Sequence, residues 1–138
     1  MSSEIKAALR REVIARAQKR CEYCFIPDNV SFSFYPHEPD HIIAIKHNGA
    51  TTSDNLAYAC FDCNRAKGSN IASIDPQTGL LTPLFNPRIQ IWSANFRHNG
   101  SIIEPLTPEG RVTVFLLKIN AAERMSSRAN LMMIGLYP

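Results

Sequence analysis

All four cysteines of this 138-residue chain fall into two Cys-x-x-Cys pairs, Cys21 with Cys24 and Cys60 with Cys63. Two residues between ligands let one tight turn aim both sulfurs at a single ion, so the two pairs together supply the four thiolates of a tetrahedral zinc site. A structural zinc bound by Cys21, Cys24, Cys60 and Cys63 is therefore expected. The 35 residues between the pairs exceed the spacing of a simple zinc ribbon, so a folded unit must occupy the loop. Two disulfides are the alternative, and a thioredoxin-like redox use would explain one pair and leave the other idle.

Compartment bears on that choice. The first 30 residues contain no charged start, apolar middle and small-residue cleavage site, and no apolar run approaches the ~18 residues of a membrane span. The expectation is a cytoplasmic protein with no membrane partner, a setting that disfavours disulfides. At 45% hydrophobic the chain has enough apolar residues for a packed core. A net charge of +3 decides little, but residues 1–20 hold Lys6, Arg10, Arg11, Arg16, Lys19 and Arg20 against Glu4 and Glu12. A basic helix there can lie along phosphates and gain from counterion release; a solvated helix face is the other reading.

The chain reads coarsely as α+β. Ile5, Leu9, Val13 and Ala17 recur at four-residue spacing and predict an amphipathic helix over Ser3–Lys19. Val30 to Tyr35, with Phe32 and Phe34 alternating with serines, predicts one strand, and the isoleucine-rich His41–Ile45 predicts a second. Asn48-Gly49 opens a polar loop through Asn55, and a short helix over Phe61–Lys67 stops at Gly68. Farther on, Asp75 to Gly79 reads as a turn, Pro83 and Pro87 as irregular chain, and Ile102-Ile103 as a strand fragment. Thr107-Pro108-Glu109 supplies an N-cap, a first-turn proline and an acidic residue for a helix over Pro108–Asn120, whose Val112, Phe115, Leu116 and Ile119 form an apolar face.

Between the cysteine pairs lie Pro39-Asp40-His41-Ile42-Ile43, then Asp54-Asn55-Leu56, then Cys60-Phe61-Asp62-Cys63-Asn64-Arg65-Ala66-Lys67-Gly68. Phosphodiester hydrolysis needs a base to take a proton from water and positive charge where the transition state becomes more anionic. His41 is the candidate base, because an imidazole takes up a proton near neutral pH. Taken singly, Asp40 can cap a turn, Asn55 can start a helix and Asn64 can be an exposed polar residue; their joint spacing around the cysteines favours chemistry.

The arrangement over residues 21–68 resembles the HNH nuclease family, whose pattern is an Asp-His pair on a strand, an Asn-Leu after a polar loop, and a helix opening Cys-x-x-Cys-Asn-x-x-Lys-Gly. The resemblance implies a ββα-metal (His-Me finger) core stabilised by zinc, with an N-terminal helix and a C-terminal helical extension. It implies DNA as substrate, Asp40 and Asn64 as oxygen ligands of a catalytic divalent ion, and Asn55 as the residue orienting His41. Arg65, Lys67 and His47 become candidates for backbone phosphates. The family often has His where this chain has Asn64, and an amide oxygen, being a harder ligand, favours Mg²⁺ or Mn²⁺. Leu84-Phe85-Asn86-Pro87-Arg88, Trp92, Phe96 and Leu106 to Arg111 are similar to an extension found in small bacterial and phage members. Residues 1–72 are thus expected to form the nuclease core and 73–138 to pack on it as one compact unit. Trp92 and Phe96, four apart, read as core, and Arg88, Arg97 and Arg111 as a possible extension of the phosphate-binding surface.

His37-Glu38-Pro39-Asp40-His41 also fits the zinc-protease pattern H-E-x-x-H, but that chemistry needs a helix and Pro39 disfavours one. His37 then reads as a strand-end residue and His98 as part of a turn. Three function classes remain: a metal-dependent DNA endonuclease, a catalytically inactive zinc-stabilised nucleic-acid-binding module, and a zinc-dependent protein-interaction module.

Overall fold

The computed structural model describes residues 4–30 and 35–138. Helix α1 (Ala7–Arg16) leads into the first cysteine pair, and strand β1 (Glu38–His41) pairs antiparallel with β2 (Leu56–Ala59), with His41 opposite Leu56 and Asp40 opposite Ala57. Helix α2 (Phe61–Lys67) follows directly. Then come a hairpin of β3 (Ala72–Ile74) and β4 (Leu81–Pro83), a single helical turn α3 (Trp92–Asn95), a second hairpin of β5 (Phe96–Asn99) and β6 (Ile102–Pro105), and helices α4 (Pro108–Leu116) and α5 (Ala122–Met133). The fold is α+β, as expected: a mixture of helices and two-stranded antiparallel sheets.

Two clusters hold these elements. Val13 of α1, with Ile5, Leu9, Ile14 and Ala17 beside it, packs on Leu56 and Tyr58 of β2, so the four-residue periodicity reports a real buried face. The larger cluster draws on both halves of the chain, joining Cys21, Tyr23, Cys24, Ala57 and Cys63 to Phe85, Phe96, Ile103, Val112 and Ile119. Tyr137 closes it by donating its hydroxyl to the Cys24 carbonyl (2.6 Å).

Several expectations are corrected. The expected first strand falls largely on residues 31–34, outside the described residues; Val30 and Tyr35, at its ends, are not in a strand. The expected second strand, His41–Ile45, retains only His41. Past it the Ile42 amide donates to the Asn55 carbonyl, and Ile45–His47 forms a 3₁₀ turn closed by His47 and Gly49 amides on the Ala44 carbonyl. The true partner of β1 is the Leu-Ala-Tyr-Ala run at 56–59, whose residues are all buried and so give no alternating pattern. Helix α1 stops at Arg16 because Gln18 and Lys19 adopt positive φ to turn the chain into Cys21. Helix α4 stops at Leu116 for the same kind of reason, with Lys118 at φ 53°, and Phe115 is 62% exposed rather than part of an apolar face. His98 lies in β5, packed against Trp92 and Phe25, not in a turn. Glu38–His41 is strand, which removes the helix a zinc protease requires.

The three arginines expected to widen a phosphate surface are all engaged: Arg88 with Glu22, Arg97 with Glu104 and Arg111 with Asp75. The last is a bidentate pair, Nε and Nη2 each 2.9 Å from a carboxylate oxygen, on an aspartate with no accessible surface. Asp75 also accepts from the Gln77 amide and the Thr78 hydroxyl, so it organises the β3–β4 turn and clamps it to α4. Arg111, with those donors, holds the Asp75 carboxyl well below the ordinary carboxylate range. A depressed folded-state pKa stabilises above the unfolded value of about 3.9 and loses that contribution as pH falls toward the folded value. Asp75→Asn is expected to melt below wild type at pH 7 and to show a shallower loss of melting temperature between pH 5 and pH 2, read by circular dichroism.

Candidate active site and metal centre

The two cysteine pairs meet where α1 hands over to the core and β2 hands over to α2. Their four Sγ atoms lie within 4.8 Å of one another, and all four residues are buried and unpaired by disulfides. A tetrahedron of sulfurs about 2.3 Å from zinc has edges of about 3.8 Å; Cys24 and Cys60 Sγ are 3.7 Å apart. Backbone amides of Tyr23 and Cys63 donate to the sulfurs of Cys21 and Cys60, each at 3.4 Å, as loops shaped around thiolates do. Hydrogen bonds from the other thiols pull Cys24 well down, while the neighbouring sulfurs push Cys60 up and burial pushes Cys63 up, so the sulfurs do not all ionise together without a cation. The donor set fits a structural zinc ion.

Helix α2 starts on the cysteine cluster. Cys60 is its N-cap residue and Cys63 lies in its first turns, so Asn64 and Lys67 take fixed positions relative to β1. Asp40 and His41 end β1, and together with Asn64, Gly68, Ala44 and Ile45 they line one shallow cleft of about 470 Å³. Asp40 and His41 alternate along the strand, yet both border the cleft, because His41 is the last strand residue and the chain turns there. His41 Nε2 lies 2.8 Å from Thr51 Oγ1.

The Asn55 side chain hydrogen-bonds to backbone rather than to the imidazole. Its carbonyl oxygen accepts from the Ile43 amide, and its Nδ2 donates to the carbonyls of Ile43 and Ala50. It thus ties together the two ends of the loop that carries His41 on one side and Thr51 on the other. Gly49 makes that closure sterically possible: a Cβ there would sit 1.7 Å from the Ile43 carbonyl oxygen.

Lys67 is corrected. Expected among phosphate contacts, it is 2% exposed, donates from Nζ to the His41 carbonyl (3.0 Å) and stands 3.5 Å from Asp40 Oδ2. Burial pushes the Asp40 carboxyl above its ordinary range, opposed mainly by Lys67. Asp40 Oδ2 is buried without a hydrogen bond, as is the Tyr23 hydroxyl, whose ionisation burial and the Asp40 charge both oppose. Arg65 and His47 are exposed, Arg65 with its guanidinium 5.7 Å from the Phe61 ring centroid. Sequence reasoning missed Thr51, which looks like any residue of a polar loop, and the inward role of Lys67. It also missed Arg124 of α5, which donates to Cys63 Sγ at 2.9 Å. Nothing local in the sequence separates that arginine from a surface one.

Replacing Lys67 by Met leaves Asp40 buried without its cation and the His41 carbonyl without its donor. Urea denaturation of Lys67→Met is expected to show a loss of about 3 kcal/mol or more, the usual scale for removing one member of a buried pair. A loss under about 0.5 kcal/mol, typical of surface substitutions, would show that Lys67 does not organise this corner.

Residues 21–70 match the family described as HNH endonuclease. Neither the curated proteins nor the solved structures return a match to the chain. Among the described residues no helix is long and apolar enough to cross a membrane. The matched segment begins at Cys21 and takes in β1, β2, α2 and all four clustered cysteines, so the likeness to HNH endonucleases covers this four-cysteine core.

Proposed function

We propose that the chain is a divalent-metal-dependent endonuclease that hydrolyses DNA phosphodiester bonds. The observation that carries this reading is the shared cleft of His41, Asp40 and Asn64 within the family segment. Asp40 brings a carboxylate whose Oδ2 is paired with Lys67 at 3.5 Å, and Asn64 brings an amide to the same cleft. Two oxygen donors of this kind suit Mg²⁺ or Mn²⁺. When bound, such an ion supplies positive charge at the scissile phosphate and the leaving oxygen.

The chain's own residues do the rest. With Nε2 carrying the proton and donating to Thr51, the other ring nitrogen of His41 keeps its lone pair and accepts the proton of the attacking water. Lys67 fixes the His41 backbone from beneath, and Asn55 fixes the loop that presents Thr51. Arg65 and His47, exposed on α2 and on the 3₁₀ turn after β1, hold backbone phosphates. The products carry a 5′-phosphate and a 3′-hydroxyl, by the family resemblance.

Purified protein incubated with supercoiled plasmid and Mg²⁺ or Mn²⁺ is expected to give nicked or linear DNA. His41→Ala should lose cleavage by at least about 100-fold, the scale of a removed general base, while keeping zinc and melting temperature. Thr51→Val should lose less and shift the pH profile of cleavage. Wild-type protein that retards DNA in a gel but cleaves none with any divalent ion would overturn this proposal in favour of an inactive nucleic-acid-binding module.

A further inference from the structure

Four thiolates around one divalent zinc leave a net charge of −2 in the interior, and a buried charge without a partner is costly. Among the described residues the cation hydrogen-bonded to these sulfurs is Arg124, from outside the family segment. Its Nη2 lies 2.9 Å from Cys63 Sγ and 3.9 Å from Cys60 Sγ, and its Nη1 donates to the Leu117 carbonyl at 2.6 Å. The guanidinium is itself only 8% exposed. Its closest carboxylate, Asp62, stands 4.0 Å away and is 58% exposed, too weakly placed to neutralise it. The anion that balances Arg124 is therefore the thiolate cluster, and the balance is mutual.

We infer that Arg124 is part of the metal centre: helix α5 supplies the charge-compensating donor to the Cys63 thiolate, so retention of the ion depends on the docking of α5. The rest of that helix supports the assignment. Arg128, one turn on and fully buried, donates to the Ser101 and Ile119 carbonyls and to Asn120 Oδ1, fixing α5 against the β5–β6 turn and the chain after α4. Two buried arginines thus anchor one helix, Arg128 on oxygens alone and Arg124 on a carbonyl and sulfur. Partners that donate to metal ligands typically contribute 10- to 100-fold in metal affinity. The charge-assisted N–H···S bond lowers the energy of the sulfur lone pair and weakens competition by protons or oxidants at Cys63.

The inference rests on the four-cysteine cluster holding an ion and is independent of nuclease activity. Its test uses the full chain loaded with zinc, and separately with Co²⁺, in wild type, Arg124→Gln, Arg124→Lys and the exposed control Lys118→Gln from the same surface pocket. Zinc transfer to a chromogenic chelator is expected to be at least about tenfold faster in Arg124→Gln, and the thiolate-to-cobalt charge-transfer band should move to lower energy. Arg124→Lys should lie between, because an ammonium lacks the planar fork that reaches sulfur and the Leu117 carbonyl together. Lys118→Gln should match wild type, since it removes equal charge without touching sulfur. Wild-type transfer rates and an unmoved cobalt band in Arg124→Gln overturn the inference; if that variant is insoluble, the same result in Arg124→Lys overturns it. Wild-type protein that takes up neither ion overturns the reading of the cluster itself.

Discussion

The convergence of Cys21, Cys24, Cys60 and Cys63 on one buried point is the constraint from which the remaining geometry follows, because it joins chain segments 36 or more residues apart whose other ties, such as the Glu22–Tyr58 hydrogen bonds, are few and local. The first pair ends the approach from α1, and the second sits where β2 becomes α2. Strands of four residues and a helix of seven are too short to persist by their own hydrogen bonds. Binding energies of roughly 10 to 16 kcal/mol at zinc in small domains are of the size needed to hold such pieces together. The apolar clusters then distribute that fixed point outward, to α1 on one side and to the hairpins and α4 on the other.

Electrostatic pairing takes over where apolar packing is thin. Lys67 bridges α2 to the end of β1, Arg111 clamps the β3–β4 turn to α4, and Arg88 meets Glu22 beside the first cysteine pair. Each charge has a named partner, and each pair joins elements distant in sequence. Charge that looked like a nucleic-acid footprint is in large part used for folding: Arg10 binds Glu38, Arg16 binds Ser53 and the Leu56 carbonyl, and Arg20 binds the Phe25 carbonyl. Fewer of these charges are therefore free than composition suggests, and of the expected phosphate contacts Arg65 and His47 remain exposed.

Legibility in the sequence tracked how local the determining physics is. The α2 boundaries, the Thr107 cap and the cysteine cluster were readable because each depends on residues within a few positions: Gly68 at φ 52°, a threonine hydroxyl accepting from Gly110, and a two-residue ligand spacing. Strand β2 was not, because a run buried on both faces has no period. Helix α5 was missed because its inward face is built from Arg124, Arg128 and Leu131, and arginine on a helix normally reads as solvent-facing. Asp40, His41 and Asn64, read together, line one cleft, while Thr51 and Lys67, which contact the His41 side chain and backbone, depend on loop closure and on depth, neither of which is written in neighbouring residues.

The cap of α2 has one more implication. The Cys60 sulfur that belongs to the cysteine cluster is also the acceptor that satisfies the Cys63 amide at the start of the helix. One atom therefore has two employers. Alkylation or oxygenation of that sulfur would strip the helix of its first-turn acceptor and loosen the turn that carries Asn64, so damage at a side chain that does not line the cleft would still displace one that does.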